Sequence, residues 1–175
     1  MPDVTATFAR RRDPVAALAA DADRLAAACR DMAGRFRDGG RLLAAGHGPS
    51  AADVAHVVVE FVHPVIVGTR ALPALALPDG GSSDSVALFG EPGDVLLVFC
   101  PGGADPDLAG ALERGAADGL LTVALTGRAG SAPAPRADHT LVVPSDDPRI
   151  VREAHVTSYH VLWELVHVYL AGGAA

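Results

Sequence analysis

The chain has 175 residues, half of them apolar and 5% aromatic, and 14 basic against 21 acidic residues give a net charge of −7. That length is enough for one domain with a sizeable core, and the acidic balance argues against the basic face of a nucleic-acid-binding protein. No apolar run approaches the ~18 residues of a membrane span, and the polar start after Met1 lacks the apolar centre of a signal peptide.

In chain order, residues 1–12 read as a flexible N-terminus, with Arg10-Arg11-Arg12 as a solvated lead-in, and residues 13–175 as one unit that includes an N-terminal helix. Asp13-Pro14 offers an N-cap followed by proline at the first helical position. Val15, Leu18, Ala22, Leu25, Cys29, Met32 and Phe36 then recur on one helical face. Asp38-Gly39-Gly40 ends that helix. A strand is predicted at 41–45, a helix at about 50–62, and a second strand at 71–77, placed near an edge by Pro73. Residues 78–93 are rich in Gly, Ser, Asp and Pro and read as a loop with at most one short turn. The strongest strand is Asp94–Cys100, apolar on both faces as a central parallel strand should be. A helix from Asp105 to Ala117, a strand at 120–126, a Pro/Gly loop at 127–137, a strand at 139–143 and a closing helix from Arg149 to about Leu170 complete the alternation. Strands separated by single helices predict a three-layer, doubly wound parallel α/β sheet with helices on both faces. Ligands bind beyond the C-terminal strand ends of such sheets, which points to the loops at 46–50, 78–84 and 101–106.

Cys29 and Cys100 are the only cysteines; both read as structural thiols, and their number fits a reducing cytoplasm. The richest stretch is Gly46-His47-Gly48-Pro49-Ser50-Ala51-Ala52-Asp53-Val54-Ala55-His56-Val57-Val58-Val59-Glu60. It joins a tight glycine turn to a helix start, a ready place for an anionic group. His56 and Glu60 follow on one face of that helix, four residues apart. Such a pair either is an ordinary helix-surface contact or converges on a metal. The apolar neighbours Val57, Val58, Val59, Phe61 and Val62 favour a buried helix, where a carboxylate needs a proton or a cationic partner.

These residues, together with Arg70–Leu77, Pro92–Leu97, Leu125-Thr126-Gly127 and Arg152-Glu153-Ala154-His155 leading to His160, resemble the sugar isomerase (SIS) family, the phosphoheptose isomerases in particular, from about Arg41 to Val168. The resemblance implies a five-stranded parallel sheet of the SIS fold and a homotetramer, or at least a homodimer, with sites at subunit interfaces. It also implies aldose–ketose isomerisation of a sugar phosphate such as sedoheptulose 7-phosphate. His56, Glu60 and His160 match a divalent metal site, expected to hold zinc. Glu60 and His160 match the catalytic acid/base pair. His47, Gly48, Ser50, Asp53, Ser82, Ser83, Gly102, Gly103 and Arg152 are the positions expected to meet the substrate.

Three departures from the family pattern bear on chemistry. Arg152 stands where the family has a glutamine ligand, and a guanidinium has no lone pair to give a metal; it is free to pair with Glu60 or to grip an anionic ligand group. The loop Cys100–Asp107 has lost the family's hydroxyls and gained Asp105 and Asp107, which repel a dianion and also suit a helix N-cap. The segment between Ser85 and Glu91 is shorter than in the enzymes. A non-catalytic SIS module, binding a sugar phosphate or a partner protein for assembly or regulation, is the competing reading.

Overall fold

The computed structural model describes residues 3–65, 68–102, 105–128 and 137–172. Five strands, β1 (Leu42–Ala45), β2 (Ala74–Ala76), β3 (Val95–Cys100), β4 (Leu121–Gly127) and β5 (His139–Val143), form one sheet in the order β2-β1-β3-β4-β5. Every pairing is parallel. Among the described residues six α-helices accompany it: α1 (Val4–Ala20), α2 (Ala22–Arg37), α3 (Ser50–Val62), α4 (Ser83–Phe89), α5 (Pro106–Ala117) and α6 (Pro148–Leu170). Among the described residues no helix is long and apolar enough to cross a membrane.

Alternation within the central strands decides the layers. Leu42, Ala44, Val95, Leu97, Phe99, Val123 and Leu125 share one apolar cluster with Met32 and Phe36 of α2, Val57 and Phe61 of α3, and Tyr159 and Leu162 of α6. Their neighbours Leu43, Ala45, Leu96, Val98 and Ala124 meet Val86 of α4 and Leu108, Ala111 and Leu112 of α5 on the opposite face. Successive side chains point to opposite faces, so strands that are apolar at every position require helices on both sides. β2 lies at the edge. Pro73, lacking an N–H, precedes it and contributes only its carbonyl, which accepts from the Leu42 amide at 2.9 Å.

Charged side chains tie off the strand ends. Buried Asp94 accepts hydrogen bonds from the Arg41 amide and guanidinium, both at 2.8 Å, and from the Glu91 amide at 3.1 Å. Asp138 accepts from both the amide and the hydroxyl of Thr122, at 2.8 and 2.9 Å, beside the β4–β5 pairing.

The N-terminal helix departs from expectation. Val4–Arg12, expected to be loose, are helical, and Asp3 rather than Asp13 caps the first turn by accepting from the Ala6 amide at 3.0 Å. Pro14 lies inside α1 and is buried. Arg11 of the basic lead-in pairs with Glu153 of α6 at 2.7 Å. The predicted single helix breaks at Asp21 (φ −102°, ψ 34°). The break lets two halves follow two surfaces: Val15 and Leu18 rest on the small cluster of Val143, Val151 and Ala154, whereas Cys29, Met32 and Phe36 enter the main core.

The segment 78–93 also holds more structure than one turn. A 3₁₀ turn at Pro78–Gly80 is followed by α4, whose N-cap Ser82 accepts from the Ser85 amide. Local composition hid this helix; its inward face, Ser85 and Val86, is short. The predicted loop at 127–137 falls largely outside the described residues.

Candidate active site

β1 ends in the glycine turn that starts α3. A side chain at Gly46 would be crowded, since a β-carbon there would sit 3.1 Å from the β-carbons of Phe99 and Ser50. Gly48 takes φ +54°, a left-handed conformation that glycine adopts freely. The carbonyls of His47 and Gly48 accept from the amides of Ser50 and Ala51 and begin the helix. In a sheet ordered 2-1-3-4-5, the chain reverses direction of winding between β1 and β3, and a crevice opens there. A cavity of about 310 Å³ occupies this place, bordered by His47, Ser50, Phe99, Gly102, Asp105 and Arg152 among others.

Three helix N-termini face that cavity, those of α3, α5 and α6. Each brings partial positive charge. Two are already met by the chain's own carboxylates. Asp105 accepts from the amides of Asp107 and Leu108 at 3.1 and 3.2 Å. Asp147 accepts from the Arg149 amide at 3.0 Å, and the Arg149 guanidinium with that amide holds its carboxyl well below the usual carboxylate range. The N-terminus of α3 has no side-chain cap.

Arg152 borders the same cavity. Its Nε donates to Oδ2 of Asp53 at 2.9 Å, and the Asp53 side chain is only 7% exposed. Arg152 therefore does not pair with Glu60, one of the alternatives the sequence left open.

Further along α3 lies a second constellation. His56 and Glu60 are in hydrogen-bond contact, Nε2 to Oε1 at 3.1 Å. From α6, His160 brings its Nε2 to 3.8 Å from the same Glu60 oxygen. One nitrogen from each imidazole and one carboxylate oxygen lie within 4.8 Å of one another. Nδ1 of His160 lies 2.8 Å from the Val156 carbonyl, so it carries the proton and leaves the Nε2 lone pair facing Glu60. Nδ1 of His56 lies 2.7 Å from the hydroxyl of Tyr159. Tyr159 is fully buried; burial first, then the charges of Asp53 and Glu60, push its hydroxyl up to about 12, so it keeps its proton.

The expected residues thus fall into two groups. His56, Glu60 and His160 come together on the α3–α6 seam. His47, Ser50, Gly102 and Arg152 come together around the cavity, with Asp53 tied to it through Arg152 and Gly48 in the adjoining turn. α3 runs about 15 Å from Ser50 to Glu60 at its rise per residue, and none of the three triad residues borders this cavity.

Ser82 caps α4 and Ser83 opens it, and neither borders the cavity. Gly103 lies outside the described residues. Asp105 and Asp107 approach His47, whose Nε2 stands 3.9 Å from Asp105. His155 is structural: it is fully buried against Phe99, and burial pushes it down to about 4. Burial likewise pushes the Cys29 thiol up to about 12, which keeps it inert. His167 is held between the carbonyls of Trp163 and Arg70. Sequence reasoning missed Tyr159, whose partner His56 is 103 residues away; no spacing rule connects them.

Residues 9–127 match the SIS domain family. The chain is 35% identical to the phosphoheptose isomerase of Solidesulfovibrio magneticus over 159 residues, covering 82% of this chain and 78% of that one. It is 32% identical to the phosphoheptose isomerase of Pelobacter propionicus over 95% of this chain and 96% of that one, a span that includes α6. Its fold superposes on a phosphoheptose isomerase structure from Francisella tularensis with a TM-score of 0.83 at 24% identity, covering 93% and 95% of the two chains. The five-stranded parallel sheet with its flanking helices is therefore a known architecture, and the chain belongs to the SIS domain family.

Proposed function

We propose that the protein is an aldose–ketose isomerase acting on a sugar phosphate of the sedoheptulose 7-phosphate type. The observation that carries this reading is the convergence of His56, Glu60 and His160 from two helices onto one carboxylate oxygen. Isomerisation moves one proton between adjacent carbons and one between their oxygens. Glu60, 13% exposed, takes the proton from the carbon beside the carbonyl and returns it to the neighbouring carbon. His160 exchanges the oxygen-bound proton through Nε2, the nitrogen its Val156 contact leaves open.

In an alternative arrangement the same three side chains suit a divalent cation, which would take Nε2 of His160 as a ligand in place of its proton-transfer role. Two imidazole nitrogens and one carboxylate oxygen are a zinc donor set that leaves a coordination position open. His160 has the orienting carbonyl such ligands use, and His56 has the Tyr159 hydroxyl. Bound zinc would polarise the carbonyl and stabilise the enediolate. Arg152 stands outside this set, its charge matched by Asp53.

Arg152 and the uncapped N-terminus of α3 take the anionic end of the substrate in this reading, because the amides of α5 are already engaged by Asp105. His47, Gly48, Ser50 and Gly102 border that end. Copies of the chain pack over the site: His56 is nearly half exposed, and Val59 and Val62 beside it are 55% and 45% exposed. With two reduced thiols, the cytoplasm is the matching compartment.

One observation favours a second reading, binding without turnover. Asp105 places a carboxylate where α5 would otherwise present free amides to a phosphate. Purified protein assayed with sedoheptulose 7-phosphate, with and without zinc, separates the two. Catalysis predicts turnover that falls about 10²–10⁴-fold in Glu60→Gln with the fold retained. Binding measured by calorimetry without turnover supports the second reading, and absence of both removes both.

A further inference from the structure

The hydroxyl of Tyr159 touches the triad at His56, and its ring is far more deeply buried than the imidazole it meets. The Tyr159 side chain is fully buried. Its ring packs edge-on against Phe99 at 5.8 Å between centroids and lies tilted against His160 at 4.8 Å. His56, by contrast, is 45% exposed, and Ala55 and Val59 near it on α3 are exposed as well. A half-exposed imidazole on its own is free to turn about its side-chain torsions and to exchange tautomers. The contact of 2.7 Å between the phenol oxygen and Nδ1 holds the ring in one orientation, with Nε2 turned to Glu60, whose carboxylate then selects the tautomer.

The direction of each hydrogen bond follows from what the groups can do. An ionised carboxylate only accepts, so the 3.1 Å contact to Glu60 requires a proton on Nε2 of His56. In a neutral imidazole Nδ1 then carries a lone pair, and the phenol donates to it. The chain of bonds runs from the Tyr159 hydroxyl through His56 to Oε1 of Glu60, the same oxygen that faces His160. When Nε2 instead presents its lone pair to a cation, the proton moves to Nδ1 and donates back to the phenol oxygen. A hydroxyl serves both arrangements because it is both donor and acceptor; a methyl or a phenyl edge serves neither.

We propose that Tyr159 is the positioning residue of this site, holding the His56 ring by Nδ1 so that Nε2 faces Glu60 and the triad keeps its geometry. This rests on reading His56, Glu60 and His160 as the reacting group, but the test reads His56 directly and does not depend on any substrate. The full-length chain, labelled with ¹⁵N-histidine and freed of metal, is examined by long-range ¹⁵N–¹H correlation at about pH 8, above the ordinary imidazole range. The His56 signals are identified by their loss in His56→Gln. The expected result is a ring protonated on Nε2 in the wild type and a mixture of tautomers in Tyr159→Phe, which keeps the buried ring. Zinc affinity, measured against a chromophoric chelator, is expected to fall about 10–100-fold in the same variant, the usual effect of removing a ligand's outer partner. A wild-type ring protonated on Nδ1 overturns the proposal, and this readout stands even where the variant does not fold. An unchanged tautomer pattern or an unchanged zinc affinity in folded Tyr159→Phe overturns it as well. Failure to isomerise any sugar, with these shifts present, counts against the proposed reaction and leaves the role of Tyr159 intact.

Discussion

Arg152 has its charge matched inside the fold. Its guanidinium has no lone pair to offer a metal, and it turns to Asp53, a nearly buried carboxylate one turn before His56 on α3. Burying that carboxylate alone would be costly, so the two residues belong to each other before either belongs to a ligand. His155, on the same helix, illustrates the opposite environment. It is fully buried, and desolvation, outweighing the Thr126 backbone and Asp53, holds it neutral down to about pH 4. The unfolded chain takes up this proton near the ordinary value of about 6.5, so between these two pH values the unfolded state binds more protons. Stability contributed by neutral His155 is therefore complete above about pH 6.5 and is lost as pH falls toward 4. Urea unfolding across that window should show a loss of about 3 kcal/mol from this residue. The slope should shrink in His155→Gln; an unchanged slope would assign the pH dependence elsewhere.

Helix α4 turns a segment read as loop into part of the lower layer. Ser82 accepts from the Ser85 amide at 3.2 Å, and Ser85 in turn donates to the Pro78 carbonyl at 3.2 Å, joining the 3₁₀ turn to the helix. Ser82 and Ser83 were the hydroxyls here expected to meet the substrate, yet Ser82 is occupied in capping. Ser82→Ala should lower unfolding stability by about 1 kcal/mol, the ordinary effect of losing a cap, while leaving KM for a sugar phosphate unchanged. A large rise in KM with stability intact would restore Ser82 to the substrate. At the N-terminus, the break at Asp21 shows that a continuous apolar stripe does not ensure a continuous helix. Val15 and Leu18 sit on a different apolar cluster from Cys29 and Met32, and two helices satisfy both where one straight helix cannot.

The whole molecule presents its candidate chemistry toward the outside. The triad sits on the α3–α6 seam, and the apolar Val59 and Val62 next to it are about half exposed. A carboxylate base works best where water is excluded, and a second copy over this face would exclude it. Val62→Glu should therefore lower the mass seen by light scattering from an oligomer toward a monomer and reduce turnover with it. A wild-type protein that is monomeric at micromolar concentration would remove the shared-site reading.

Residue order alone determined the alternation of strands and helices, because strands apolar at every position, Leu42–Ala45 and Val95–Phe99 above all, have to be covered on both faces. It also determined the pairing of His56 with Glu60, since a helix puts positions four apart on one side, and the resemblance added His160. The start of α1, its break, and the helix at Ser83–Phe89 were not legible, because each depends on which surface a short segment finds to pack against. Only the tertiary structure decided that Arg152 meets Asp53 and not Glu60, that the loops at 46–50 and 101–102 border one cavity with Arg152, and that Tyr159 reaches His56. Each of these joins residues that are distant in the chain or placed by packing, and a hydrogen bond depends on distance and direction in space, which local sequence patterns do not encode.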